Sequence, residues 1–368
     1  MNTIDRKTRA CSGCGQALTP DQLTPFQNEL LCPDCLNERT VLCAHCGERI
    51  FRSDNCGTDT TPLCEDCYED HYTHCTSCGE LIRRENACYR GDDPYCHGCY
   101  HSMPAQGISD YCYKPEPIFC GEGSRFFGVE LEIDGAGEDD DNADRIMDIT
   151  NAERTLAYCK HDGSLGDGFE IVTHPMTLDF HCNEMPWAEV MEKAVEMGYT
   201  SHQAGTCGLH VHINRSTFGA TEGEQEAAIA RVLYFFEKFW DELLKFSRRT
   251  QSQLDRWAAR YGYKDKPKDI LDHAKGRNSA GRYTAVNLTN SDTVEFRMFR
   301  GTLKYNTLIA TLEFLDCICE MAVYLTDQDL QQMSWTSFAA GCTQPELVQY
   351  LKERRLYVNE AVESERDV

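Results

Sequence analysis

The chain has 368 residues, 41% of them apolar, enough for one large domain with a true core and a smaller one beside it. A formal net charge of −24 repels nucleic-acid phosphates at long range and opposes a broad nucleic-acid interface, leaving room only for a local basic patch. No apolar run reaches the length of a membrane span, and Met1-Asn2-Thr3-Ile4-Asp5 lacks the apolar stretch of a signal peptide, so a cytoplasmic protein with no membrane segment is expected.

The first third holds most of the 22 cysteines as Cys-x-x-Cys pairs: Cys11/Cys14, Cys32/Cys35, Cys43/Cys46, Cys64/Cys67, Cys75/Cys78 and Cys96/Cys99. Seventeen residues separate the two pairs of each set, and each set begins thirty-two residues after the last. This is a threefold internal repeat. One pair offers two thiolates at a tight turn, and two pairs complete the closed tetrahedral site of a structural zinc. Three zinc-stapled units are expected, at 11–35, 43–67 and 75–99, in a region spanning 1–102. They bury little apolar surface, so Zn2+ supplies the folding energy they lack. The acidic composition favours protein-binding knuckles over nucleic-acid readers. His45, His71, His74, His97 and His101 are surface histidines on this reading, because each ligand set is already full.

A linker rich in Pro and Gly is expected at 103–122, with Cys112 and Cys120 unassigned, followed by a catalytic domain at 123–368. There the texture becomes mixed. Strands are expected at Arg125 to Ile133, Phe169 to Thr173 and Leu209 to Asn214, and helices at Trp187 to Met197, Glu222 to Arg249 and Asn306 to Leu325. Glu138 to Asp141 reads as a solvated loop before a helix. In the middle helix Ile229, Val232, Leu233, Phe236, Phe239, Trp240, Leu243 and Leu244 form an apolar stripe that core packing explains. Strands separated by helices, with no Gly-rich phosphate loop, argue for α+β.

Three strand motifs carry chemistry. Glu130 and Glu132, His210 and His212, and Glu295 and Arg297 each alternate with apolar residues, so both members of a pair share one face of a strand. Two adjacent carboxylates repel unless a cation or proton lies between them, which points to a divalent metal. A guanidinium beside a carboxylate suits recognition of a carboxylate or phosphoryl group. His161, His174, His181 and His202 stand alone and read as structural or surface residues.

The ordered set Phe127-Gly128-Val129-Glu130-Leu131-Glu132, Asp162-Gly163-Ser164 with Glu170-Ile171-Val172, Gly208-Leu209-His210-Val211-His212, Asn287-Leu288 and Val294-Glu295-Phe296-Arg297 resembles the amidoligase family, grouped with glutamine synthetase and glutamate-cysteine ligase among the carboxylate-amine ligases. The resemblance covers Arg125 to Tyr324. It implies a curved antiparallel sheet with helices on one face, holding ATP and Mg2+, and formation of an amide bond through an acyl phosphate. Carried over by residue, Glu130, Glu132, Glu170, His210 and Glu295 are expected to bind metal, His212 to contact phosphate, and Arg297 to hold the carboxylate, with Asp162 a further catalytic candidate. Glutamine synthetases have an Arg where this chain has Thr293, so Arg300 and Lys304 become the candidates for neutralising phosphate. Expected partners are ATP, a carboxylate and an amine, with a protein or peptide substrate docked by the zinc units as the reading the fusion motivates. The alternatives are an ATP-dependent phosphotransferase on the same site, and a non-catalytic zinc-finger adaptor with a degenerate ligase domain.

Overall fold

The computed structural model describes residues 8–90, 92–103, 107–276 and 281–357. It divides into two units, Met1–Met103 and Pro104–Val368. Among the described residues no helix is long and apolar enough to cross a membrane.

The first unit repeats one local construction three times. The first knuckle turns on a left-handed glycine, Gly15, Gly47 or Gly79, whose N–H donates to the carbonyl of Cys11, Cys43 or Cys75. The second knuckle opens a short helix, with Cys32, Cys64 and Cys96 at the N-cap positions of Pro33–Arg39, Glu65–His71 and His97–Ser102. Each set of four thiols converges, every Sγ lying within 4.8 Å of the others. The sulfurs of Cys14 and Cys32, Cys46 and Cys64, and Cys78 and Cys96 are 3.9, 3.8 and 3.7 Å apart. Four bonds of about 2.3 Å to a tetrahedral zinc set sulfur edges of about 3.8 Å, so the sets fit that ion. Hydrogen bonds from the N–H groups of Cys32 and Cys14 hold the Cys11 thiol down to about 6. At Cys43 and Cys75 burial resists, but equivalent N–H donors still bring the thiol to about 6.

The second unit is built on a seven-stranded sheet. Its strands are β1 (Ile108–Ser109), β2 (Phe127–Asp134), β3 (Ala157–Lys160), β4 (Gly168–Thr173), β5 (Gly208–Asn214), β6 (Val286–Asn287) and β7 (Thr293–Arg300), in the order β1-β3-β4-β2-β5-β7-β6. All neighbours are antiparallel except the edge pair β1 and β3. That edge strand comes from the stretch expected to be linker. Ile108 and Gly107 donate backbone N–H groups to Asp140 and Asp144, which ties the segment to the fold. Tyr113 and Cys120 are buried as well. Pro104 and the two residues after it lie outside the described residues.

The helices that matter for the site are α1 (Asp140–Thr150), α2 (Trp187–Glu196), α3 (Glu222–Lys238), α4 (Trp240–Ser247) and α5 (Tyr305–Tyr324). The acidic run read as a loop starts α1 instead. Asp139 caps it by accepting the Asn142 N–H at 2.8 Å, and Asp140 and Asp141 occupy its first turn, where negative charge complements the helix dipole. The single helix expected from Glu222 to Arg249 is two, broken at Phe239 and ended by Arg248 in the left-handed region. The apolar stripe runs unbroken across that kink, so periodicity does not mark it. Val129, Leu131 and Ile133 of β2 are wholly buried in one core with Trp187 of α2, Phe236 of α3, Phe246 of α4 and Phe314 of α5. The alternate residues of the strand face the other way, and there the site lies.

Candidate functional site

Strand pairing brings the three motifs together. Glu130 pairs with His210 across β2 and β5, His212 with Glu295 across β5 and β7, and Glu132 with Glu170 across β2 and β4. A shift of register between Leu209 and Val211 separates the two halves of the β5/β7 pairing, a bulge of the kind found beside active sites. Glu132, Glu170, His210 and Glu295 are no more than 6% exposed, too deep for carboxylates and imidazole to be incidental surface polarity.

His212 is the centre of one cluster. Its Nε2 lies 3.2 Å from Glu130 Oε1 and 3.9 Å from Glu295 Oε1, yet it is buried without an aligned hydrogen-bond partner, while its Nδ1 is 3.2 Å from Thr293 Oγ1. Among the described residues Glu130, His212 and Glu295 form the carboxylate–imidazole group whose donor atoms all lie within 4.8 Å. Two carboxylates and an imidazole that converge without bonding one another fit a divalent cation. Burial pushes the Glu130 carboxyl up, but the charge of His212 and the hydrogen bond with His210 hold it well below the usual carboxylate range. Burial likewise opposes ionisation of Glu295, and His212 and Arg297 outweigh it. Burial disfavours the His212 imidazolium, yet Glu130 raises its pKa overall.

The rest of the motif residues surround this cluster. His210 spans two carboxylates, Nδ1 3.3 Å from Glu130 and Nε2 3.6 Å from Glu132. Glu132 also accepts the N–H of Gly208. Arg297 donates to Glu295, whose second oxygen accepts from Asn287 Nδ2 at 2.7 Å. Glu170 is 3.4 Å from Lys160 Nζ, but burial first, and then the charge of Glu130, push its carboxyl well above the usual range. Asp162 sits on the turn after β3, where it accepts the N–H of Ser164 and adds its negative charge to the field on Glu170.

Two expected site residues lie elsewhere. Lys304 is an exposed residue whose ammonium pairs with Glu353 at 3.3 Å. Arg300 lines a cavity of about 430 Å³ with His202, Lys245, Arg248, Arg249 and Arg354. Sequence reasoning missed Arg249, whose guanidinium adjoins the cluster over Gly208: a Cβ added there would stand 2.6 Å from Arg249 Nη2, 2.8 Å from His210 Nε2 and 3.4 Å from Glu132 Oε2. The only signal was the Arg248-Arg249 doublet ending a helix. Lys160, beside Glu170, was missed too, because β3 is a short strand. Of the lone histidines, His181 and His174 are buried and hydrogen-bonded to backbone, and His161 pairs with Glu138, which fits their structural reading.

Residues 146–319 match the model of a family described as "Putative amidoligase enzyme". The matched segment contains Glu170, His210, His212, Glu295 and Arg297, while Glu130 and Glu132 precede it. No curated protein matches the chain. Among solved structures it is similar to one titled "Crystal structure of the complex between Prokaryotic Ubiquitin-like Protein Pup and its Ligase PafA", at 12% identity and a TM-score of 0.27 over 62% of this chain. The aligned part spans 56% of that structure's chain, little more than half of its length.

Proposed function

We propose that this protein is an ATP- and magnesium-dependent carboxylate-amine ligase, a reading supported by the match of residues 146–319 to the amidoligase model. The observation that carries the reading is the converging Glu130–His212–Glu295 group, Glu295 buried and the other two partly buried, with Arg297 bonded to one of its members. Those three residues would hold magnesium, with Glu132 and Glu170 as further carboxylates on the same face and His210 orienting Glu130 and Glu132. Bound there, magnesium supplies positive charge against the phosphates of ATP.

The chain's own groups do the rest. Arg297 holds the substrate carboxylate beside the cluster, using donors left over from its bond to Glu295. A carboxylate oxygen attacks the γ-phosphorus of ATP, the bond to the bridging oxygen breaks, and ADP leaves with those electrons. The amine lone pair then attacks the acyl carbon of the acyl phosphate, inorganic phosphate departs, and the amine gives up a proton. Buried, preorganised charges make such steps cheap because no solvent has to reorganise. A protein or peptide substrate is the finer proposal, motivated by fusion to the zinc units. The thiol-rich sites suit a reducing compartment such as the cytoplasm.

Calorimetric titration of Mg-ATP into the zinc-loaded full chain tests the reading. Saturable binding is expected in the wild type and not in a Glu130→Gln, Glu295→Gln double variant with an unchanged melting temperature. A folded wild type that binds no Mg-ATP would overturn it.

A further inference from the structure

Two segments from opposite edges of the seven-stranded sheet touch. Tyr111 lies just past β1 at one edge, and Arg282 and Tyr283 lie just before β6 at the other. The Arg282 guanidinium donates to the Tyr111 hydroxyl and stands 5.5 Å from the centre of its ring. In a flat sheet of seven strands the edges are about 29 Å apart, six spacings of about 4.8 Å. They meet here because the sheet curls and two long side chains reach across it.

The contact leads into the site at both ends. On the β1 side, Lys160 Nζ is 5.4 Å from the centre of the Tyr111 ring and 3.4 Å from Glu170. On the β6 side, the Tyr283 ring lies 5.5 Å from the Arg282 guanidinium and 5.9 Å from that of Arg297, which is bonded to Glu295. The sheet completes the circuit, since Glu170 pairs with Glu132, Glu130 with His210 and His212 with Glu295. The Glu130–His212–Glu295 group is therefore ringed by side chains, and the His212 Nε2 that it offers to a cation is buried.

The circuit has a place to open. Lys160 is held by buried Glu170, and Tyr283 is braced edge-on by Trp257 at 5.6 Å. Between these anchors stand Tyr111 and Arg282, both exposed. Exposed hydrogen bonds and cation–aromatic contacts are weak, because water serves either group nearly as well. Such a pair holds most of the time and parts readily.

We propose that Tyr111 and Arg282 form a latch over the site, parting to admit a nucleotide-sized ligand to the Glu130–His212–Glu295 group and closing again behind it. The latch touches no reacting atom. Closing equally over an empty and a filled site, it slows entry and release alike and leaves affinity unchanged. Only the choice of nucleotide as ligand rests on the ligase reading; the latch itself rests on the contact between the sheet edges.

The test compares Tyr111→Phe, which removes the hydroxyl, and Arg282→Gln, which removes the cation, with the wild type. All are zinc-loaded full chains checked by melting temperature, and either variant serves if the other fails to fold. Diethyl pyrocarbonate without magnesium, read by peptide mass spectrometry, reports access to the buried His212 nitrogen, with exposed His273 as the control. Stopped-flow mixing with a fluorescent ATP analogue and magnesium reports entry and release. His212 should react about tenfold faster in the variants, with both nucleotide rates raised by a similar factor and Kd within about twofold of the wild type. An unchanged His212 rate in folded variants would overturn the latch. So would nucleotide binding weakened through faster release alone, which would make the two residues direct contacts. A wild type that binds no nucleotide, while His212 reacts faster in the variants, would overturn the ligase and leave the latch standing.

Discussion

Glu132 and Glu170 stand directly opposite one another on antiparallel strands, two buried carboxylates in register. Like charges in that relationship repel, and burial together with neighbouring Glu130 already pushes Glu170 well above the usual carboxylate range. The folded protein therefore keeps a proton on Glu170 that the unfolded chain has released. Its contribution to stability is complete below the ordinary carboxylate pKa and is lost as pH rises through the raised, folded value. Without magnesium, the melting temperature of the wild type should fall relative to Glu170→Gln as pH rises above the ordinary carboxylate range. Thermal melts across that range check this; parallel curves would show that Glu170 does not hold its proton.

His181 gives the opposite slope. It is fully buried, its Nε2 donating to the Phe127 carbonyl at 3.0 Å and its Nδ1 accepting the Trp187 indole N–H at 3.2 Å. Burial holds the imidazole down to about 4, against which the bond to Phe127 works only in part. A lowered folded value means stability is present above the unfolded histidine pKa and is lost as pH falls through the folded one. His181→Ala should cost about 2–4 kcal/mol at neutral pH, from the cavity and two unanswered polar groups, and less at acid pH. Denaturant melts at neutral pH and near pH 4 measure both.

Removing zinc should unfold the first unit while the seven-stranded sheet persists. Its small buried clusters consist largely of the ligand cysteines themselves, for example Cys11, Cys32 and Cys35 around Leu23 and Leu31. Chelation should release three zinc ions per chain and abolish hydrogen-exchange protection within 8–103, leaving β2, β5 and β7 protected. Loss of protection in those strands as well would mean that the second unit depends on the metals.

Gly208 is open to a sharp test because three functional groups crowd the place where a side chain would stand. Gly208→Ala forces the Arg249 and His210 side chains to move, since contacts of 2.6 and 2.8 Å are not tolerated by a real Cβ. Displacement of about 1 Å in such a site costs on the order of tenfold to a hundredfold in rate. Stability should change little, because the clashing atoms are the far ends of side chains. Steady-state kinetics beside a melting curve separate the two effects.

Much of this was legible because strands and knuckles write their geometry into the sequence with short periods. Glu130/Glu132 and His210/His212 show which residues share a face before any pairing is known, and the thirty-two-residue step of the cysteines fixes which pairs form a set. Pairing itself is long-range: no local pattern says that Glu132 meets Glu170 and that Glu130 meets His210. It was also long-range packing that placed Arg249 over Gly208 and Lys304 against Glu353, at opposite fates for two basic residues that look alike in the chain. Ile108–Ser109 escaped notice because a two-residue edge strand has no period to detect.

The alternation that puts Val129, Leu131 and Ile133 into the core and Glu130 and Glu132 into the site has an effect on error. A slip of one residue in the pairing of β2 would drive two carboxylates among Trp187, Phe236 and Phe314 and turn three aliphatic side chains outward. Such a molecule would not hold together, so wrongly registered copies are cleared by their own instability. Every copy that survives carries its acids and imidazoles in working alignment: proofreading of the site comes free with folding of the sheet.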